Sequence, residues 1–251
     1  MLRLWPERLY TGVFPDCGWL HRGGAHEPIR FDDAAGGGRD LMAGIETLLA
    51  ERAWPRKGRV ELVVSDHFAR LVHLPWQSGL SNEAQRSAYG HACFERAGLG
   101  LEGKWLLQTA YRHFATDGIA YALPRELVAQ VRDYLAARDL KLSSILPLSG
   151  AAYWRHGRGL GRTRNVLLLE ESRRVSAMLF DHRKYVGMQV QPFGVVPADA
   201  LRRLLSSVDA VFPGVKQIRY WSAKEIIGRQ DLIKERLPDA ALEVLPILRW
   251  H

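Results

Sequence analysis

Apolar and polar positions alternate along much of this chain with a period of two, in short runs separated by turn residues. The run from Arg59 to Trp76 is the most informative. Val60, Leu62 and Val64 alternate with Glu61 and Val63, Ser65-Asp66-His67 interrupts, and Phe68, Leu71, Val72 and Leu74 then lead to Pro75-Trp76. The pattern predicts two strands joined without a real loop. The first is rich in Val and suits a buried sheet, whereas the second carries Arg70 and His73 and stays partly wet. The chain therefore leaves one sheet here and starts another.

The same reading predicts strands at Glu7 to Val13, Cys17 to His21 and Pro28 to Phe31, then a helix carrying Leu41, Ile45, Leu48 and Leu49 that closes at Trp54-Pro55. After the Arg59 to Trp76 run comes a helix over Ala84 to Ala97, capped near Ser81-Asn82-Glu83 and stopped by Gly98. Strands at Lys104 to Tyr111 and Ile119 to Leu123 flank the hairpin signal Thr116-Asp117-Gly118. An amphipathic helix starting near Pro124, a strand from Leu140 to Leu146 and a short helix from Ser149 to Trp154 complete the first part. His156 to Gly161 is the best linker candidate. Beyond it the opening order recurs: strands at Asn165 to Glu170, Val175 to Phe180 and Tyr185 to Val190, a helix from Pro197 to Val211, a strand from Gln217 to Trp221, an element at Asp231 to Leu237 and a last strand near Leu242 to Leu245. Both parts run β-β-β-α-β, a repeat of element order without a repeat of sequence.

Composition refines this picture in two ways. The chain has 251 residues, 47% hydrophobic, enough for a substantial core in one large or two modest domains. Its net charge of +8 is uneven, with 17 Lys and Arg against 10 Asp and Glu from Leu148 onward and 18 against 17 before it. A basic second part suits an acidic partner, an anionic membrane surface or nucleic acid, or is a plain solvated face. Cys17 and Cys93 form no CxxC pair and no zinc spacing and are expected as free thiols in a reducing compartment. With no signal peptide and no apolar run of the roughly 18 residues a membrane span needs, a cytoplasmic protein is expected.

Two tandem β-β-β-α-β-α-β units, the first interrupted after its Val60 strand by an extra β-α-β-β unit, are the order of an actin-like, ribonuclease H-like duplication. The segments LVVSDHFARLVHLPW (Leu62 to Trp76), the helix at Ala84 to Ala97 and SSILPL (Ser143 to Leu148) carry a resemblance to the actin-like proteins of bacterial pilus and secretion platforms. These are PilM of type IV pili, MshI of the MSHA pilus and the cytoplasmic part of GspL. The resemblance implies an α/β fold, a tandem duplicated ribonuclease H-like (actin-like ATPase) fold. Residues 1–147 form its first subdomain, with a 1C-like insertion at about 67–123 that has a counterpart in FtsA, and residues 148–251 form its second. The element order covers nearly the whole chain, the motifs only its first half, and topology alone would not give a function.

An ATPase of this fold needs glycine turns whose N–H groups surround phosphates, and an acid to hold the metal. The first turn here is Phe14-Pro15-Asp16-Cys17-Gly18, in which Pro15 has no N–H and the expected Lys is missing. The matching second turn, Glu170-Glu171-Ser172-Arg173-Arg174, has no glycine. Asp16, Gly18 and Glu170 are thus weak cofactor candidates. Glu170 and Glu171 have the chemistry to hold Mg²⁺, and the plainer reading makes them turn carboxylates screened by Arg173 and Arg174. Gly187 and Gly194 form no adenine loop, and Gly157, Gly159 and Gly161 fall in the linker. No cofactor is expected, with ATP and Mg²⁺ as the alternative.

Other chemistry is weaker. A two-metal nuclease would gather carboxylates, and Glu7, Glu61 and Asp66 are the only candidates on the strands that matter. His67, His73, His91 and His113 share no ligand spacing, and Ser65-Asp66-His67 holds triad residue types in positions that strand geometry turns to opposite sides. Neither a catalytic residue nor a metal ligand is expected.

The resemblance instead implies a scaffold that holds the cytoplasmic segment of a PilN-like or GspM-like inner-membrane partner in a groove beside the Phe68 to Trp76 strand, with an assembly ATPase as a further expected partner. Arg70, Trp76, Arg112 and His113 are its expected contact residues, since Trp and Arg dominate interface energies; Trp76 as a cap on the subdomain core is the structural reading. The cations Arg155, Arg158, Arg162, Arg164, Arg173 and Arg174 form a second expected surface for anionic headgroups or the ATPase. Nucleic acid is not the expected partner, because stacking aromatics accompany the cations only at Tyr153 and Trp154.

Overall fold

The computed structural model of the protein describes residues 7–15, 17–22, 25–30, 41–51, 57–156, 162–223 and 228–246. Three strands open the chain, β1 (Glu7–Phe14), β2 (Cys17–Arg22) and β3 (Ala25–Arg30), followed by α1 (Leu41–Glu51) and β4 (Gly58–Val64). Next come β5 (Arg70–Leu74), α2 (Glu83–Arg96), β6 (Trp105–Ala110), β7 (Gly118–Pro124), α3 (Arg125–Ala136), β8 (Leu140–Pro147) and α4 (Leu148–His156). The second part holds β9 (Asn165–Glu170), β10 (Arg174–Asp181), β11 (Lys184–Pro192), α5 (Pro197–Val211), β12 (Gln217–Ser222), α6 (Arg229–Arg236) and β13 (Ala241–Val244).

These strands form two five-stranded sheets of matching topology, β3-β2-β1-β4-β8 and β11-β10-β9-β12-β13, and a three-stranded sheet β5-β7-β6. In each large sheet three antiparallel neighbours give way to parallel ones, β1 with β4 and β9 with β12. The alternation in β4 explains its place. Val60, Leu62 and Val64 pack with α1 and α3 residues such as Leu48 and Leu135, while Val63 enters the core on the opposite face. That second core belongs to both halves: Phe14, Trp19, Tyr153 and Leu148 meet Leu167, Met178, Phe180 and Trp221. Gly12 makes room for it, since a Cβ there would stand 2.3 Å from the Trp19 indole.

The small sheet has its own core, where Cys93 and Phe94 of α2 cover Val72, Leu74, Ala120 and Ala122. α2 starts with a capping box, Asn82 accepting from Gln85 N while the Gln85 side chain returns to the Asn82 backbone, and ends at Gly98 with φ of +69°. Both thiols are buried and outside any disulfide, Cys17 in the shared core, where its Sγ donates to the Ala223 carbonyl, and Cys93 beneath the small sheet.

Several boundaries differ from the sequence expectation. The third strand starts earlier, at Ala25, and the last covers Ala241–Val244, leaving Leu245 just past its end. The two strands of the Arg59 to Trp76 run are not joined directly, because Asp66–Phe68 forms one turn of 3₁₀ helix that Ser65 caps. His156 is no linker residue: it ends α4, is fully buried and packs against Phe180. Gly157 to Gly161 lie outside the described residues. Among the described residues no helix is long and apolar enough to cross a membrane.

Candidate functional site

The 3₁₀ turn after β4 starts from two bonds, one to β1 and one local. Ser65 N donates to Val13 O at 2.9 Å, and His67 N donates to Ser65 Oγ at 3.0 Å. Together they turn the Asp66 carboxylate inward, where only 1% of the residue is exposed. It arrives at the N-terminus of α4, where free N–H groups and the helix dipole favour an anion. Ser149 N donates to Asp66 Oδ1 at 2.9 Å and the Ser149 hydroxyl donates to Oδ2.

The second half completes this junction. Arg174 Nη2 lies 3.2 Å from Asp66 Oδ2, Arg174 Nε donates to Glu171 Oε2 at 3.0 Å, and Glu171 Oε1 accepts from Asp66 N at 3.1 Å. A ring of polar contacts thus runs from the end of β4 to the β9–β10 turn and back. Burial draws the Arg174 guanidinium down to about 10, which leaves it charged at neutral pH. One half-buried cation here faces two buried carboxylates, and the α4 dipole and Ser149 hold the remaining negative charge.

Glu170, the neighbouring acid, faces elsewhere. It accepts from Tyr220 Oη at 2.8 Å and from Arg229 Nε at 3.0 Å, and it is 1% exposed. Burial first, then the Glu170 carboxylate, pushes the Tyr220 phenol above its ordinary value. The cation that screens Glu170 is therefore Arg229 of α6, whereas Arg174 serves Glu171, and Arg173 is exposed.

β5 and β11 flank a cleft of about 480 Å³. Leu71, Val72, His73 and Pro75 line it from β5 and its end, Arg96 and Ala97 from the end of α2, and Met188 and Val190 from β11. His73 closes one end: its Nε2 is 2.9 Å from Asp117 Oδ2, its ring lies 5.6 Å from that of Tyr185, and Gly187 passes beneath it.

The expected contact residues have other positions, and none of Arg70, Trp76, Arg112 and His113 is among the residues lining this cleft. The Arg70 guanidinium sits 4.3 Å from the Trp105 ring centroid and donates to the carbonyls of Leu99 and Gly100, at the cleft's mouth. Trp76 packs edge-on against Tyr111 and Phe114, and its backbone N–H donates to Asp117 Oδ1. Arg112 donates to the carbonyl of Tyr153, while His113 is exposed. Of the expected basic surface, Arg174 is withdrawn into the junction and Arg155 folds onto Glu61 at 3.3 Å, its pKa lowered by burial. Each turns toward a carboxylate, Arg174 toward the buried Asp66 and Glu171 and Arg155 toward the half-buried Glu61. Arg164 binds the Pro213 carbonyl beside Phe212, Arg162 is exposed, and Arg158 lies outside the described residues.

Glu61 is thus an ion-pair partner and Asp66 a junction residue, where alternation and turn chemistry were expected. Gly18 pairs with Val13 within β1 and β2, and Asp16 lies outside the described residues. Among the described residues no three His, Cys, Asp or Glu side chains are grouped to hold a metal ion. The β9–β10 turn offers no glycine nest, and its acids are bonded to Arg174, Arg229 and Tyr220. These residues do not fit a metal-bound triphosphate.

No protein-family model matches the chain, and no curated protein is similar to it in sequence. Among solved structures it is similar to a Bacteroides thetaiotaomicron protein with an actin-like ATPase fold and unknown function, at 9% identity and a TM-score of 0.63, over 98% of this chain and 94% of that one. It is similar to the PilM-PilN type IV pilus biogenesis complex at 14% identity and a TM-score of 0.65, over 96% of this chain and 88% of that one. A third likeness is to the cytoplasmic domain of EpsL, an inner membrane component of the Vibrio cholerae type II secretion system, at 11% identity and a TM-score of 0.55, over 93% and 95% of the two chains. With two sheets of matching topology facing one core, and these three likenesses across nearly its whole length, the chain has the actin-like ATPase fold.

Proposed function

We propose that the protein is a non-catalytic scaffold of a type IV pilus or type II secretion platform. On this reading it works at the cytoplasmic face of the inner membrane and holds the cytoplasmic segment of a PilN-like or GspM-like membrane partner, and an assembly ATPase through its basic second half. The small sheet with α2 is the counterpart of subdomain 1C.

The observation that carries this reading is the junction. Arg174 stands between Asp66 and Glu171, where a nucleotide-using member of the fold would have to admit a metal and phosphates. A guanidinium ion-paired with both acids repels a divalent cation. The likenesses to the PilM-PilN complex and to the EpsL cytoplasmic domain support a role in this kind of system. The alternative, an actin-fold protein that binds ATP with Mg²⁺ and hydrolyses it weakly, rests on the fold alone. Calorimetric titration with ATP, with and without Mg²⁺, separates the two: the scaffold gives no saturable heat. Micromolar affinity coupled to turnover would overturn it.

A further inference from the structure

The cleft between β5 and β11 is built at a strand edge. It touches Leu71 and His73 on one face of β5 and Val72 on the other, and a cavity that meets both faces of a strand lies off its edge. β5 is the outer strand of its sheet, paired with β7 alone, and among the described residues no backbone group of Arg70–Leu74 bonds outside that ladder. Unpaired N–H and C=O groups beside apolar side chains are a template for another strand.

The walls define what that strand must carry. A segment laid along β5 points alternate side chains to opposite sides. One set meets Met188 and Val190, both on one face of β11, and requires apolar partners. The other meets the end of α2, where Cys93 and Ala97 are small and Arg96 stands at the rim. Among the described residues Arg96 faces no carboxylate. We propose that β5 receives an extended peptide segment by strand addition, its alternate side chains apolar against Met188 and Val190 and one carboxylate set against Arg96. The inference rests on the scaffold reading for the source of the segment and on the cleft for its chemistry.

Fluorescent ten-residue peptides that alternate Val with Thr, with one Asp moved along the Thr positions, test it against the full chain by anisotropy. Saturable binding is expected for at least one Asp position. It should weaken about tenfold when that Asp becomes Lys, and likewise in Arg96→Glu and Val190→Asp proteins whose circular dichroism and melting match the parent. Strand pairing uses the N–H of every second residue. Methylating one alternate set of peptide nitrogens should therefore abolish binding, and methylating the other set should leave it. Absence of saturable binding by every Asp peptide, equal tolerance of both methylated sets, or unchanged binding by both variants overturns the inference. A platform partner's cytoplasmic segment that binds equally to the parent and to both variants would sink strand addition and leave the scaffold reading standing. Peptides behaving as expected while no such segment binds would do the reverse.

Discussion

Arg174, 22% exposed at its side chain, is ion-paired with two buried acids from opposite halves of the molecule, so its loss strips this cation from both. Arg174→Met should cost about 3–5 kcal/mol in urea unfolding, the usual penalty for stripping a buried charge of its partner. The double variant Asp66→Asn with Arg174→Met should recover part of that loss, and a double-mutant cycle measures the coupling. A second expectation concerns His67. Burial, and then the nearby Arg173, lower its pKa below 6.5, so the folded protein prefers the neutral ring. Its contribution to stability is complete above 6.5 and is lost as the pH falls from there toward the lowered value. A histidine titration followed by NMR should place its midpoint below 6.5. None of these partnerships was legible in the sequence. Asp66 read as a polar interruption between two strands, and it finds Glu171 across a separation of 105 residues. Glu170 and Glu171 did stand out as acids at a turn, but adjacency hid that they serve different cations.

At the scale of elements the alternation was a sound guide, because strands buried on one or both faces must place apolar residues by the period of the pleat. The helix stop at Gly98 was equally plain, since a positive φ selects glycine. The 3₁₀ turn was missed because Ser65-Asp66-His67 has the same composition as a loop. What decides it is a local bond from His67 N to Ser65 Oγ that competes with the strand ladder. Two element-level substitutions follow from the contacts. Asn82→Ala removes the capping box of α2 and should cost about 1 kcal/mol, measured by thermal unfolding of the whole chain. Gly12→Ala drives a methyl group into the Trp19 indole between β1 and β2 and should cost about 1–3 kcal/mol, with a shift in tryptophan emission.

For the whole molecule the duplicated element order showed two similar halves, but not that they share one interior. Tyr153 of α4 and Phe180 and Trp221 of the second sheet belong to the same core, joined by a buried ionic ring at its edge. The cleft wall from β11 was invisible for the same reason: Met188 and Val190 lie far along the chain from β5, and only tertiary packing brings them together. Because the junction and core tie the halves, hydrogen exchange should show β4 and β9 opening with one free energy, and Arg174→Met should lower the protection of β9 and β10 first. Both cysteines lie inside, Cys17 at 3% and Cys93 at 6% exposure, and the chain has no others. The natural sequence therefore serves as its own thiol-silent background for spectroscopy. A single cysteine placed at Phe114, 86% exposed on the small sheet's loop, and another at Val195, fully exposed beyond β11, would accept spin labels without removing a native residue from the core. The distance between them would report directly whether an arriving partner moves the small sheet against the second half.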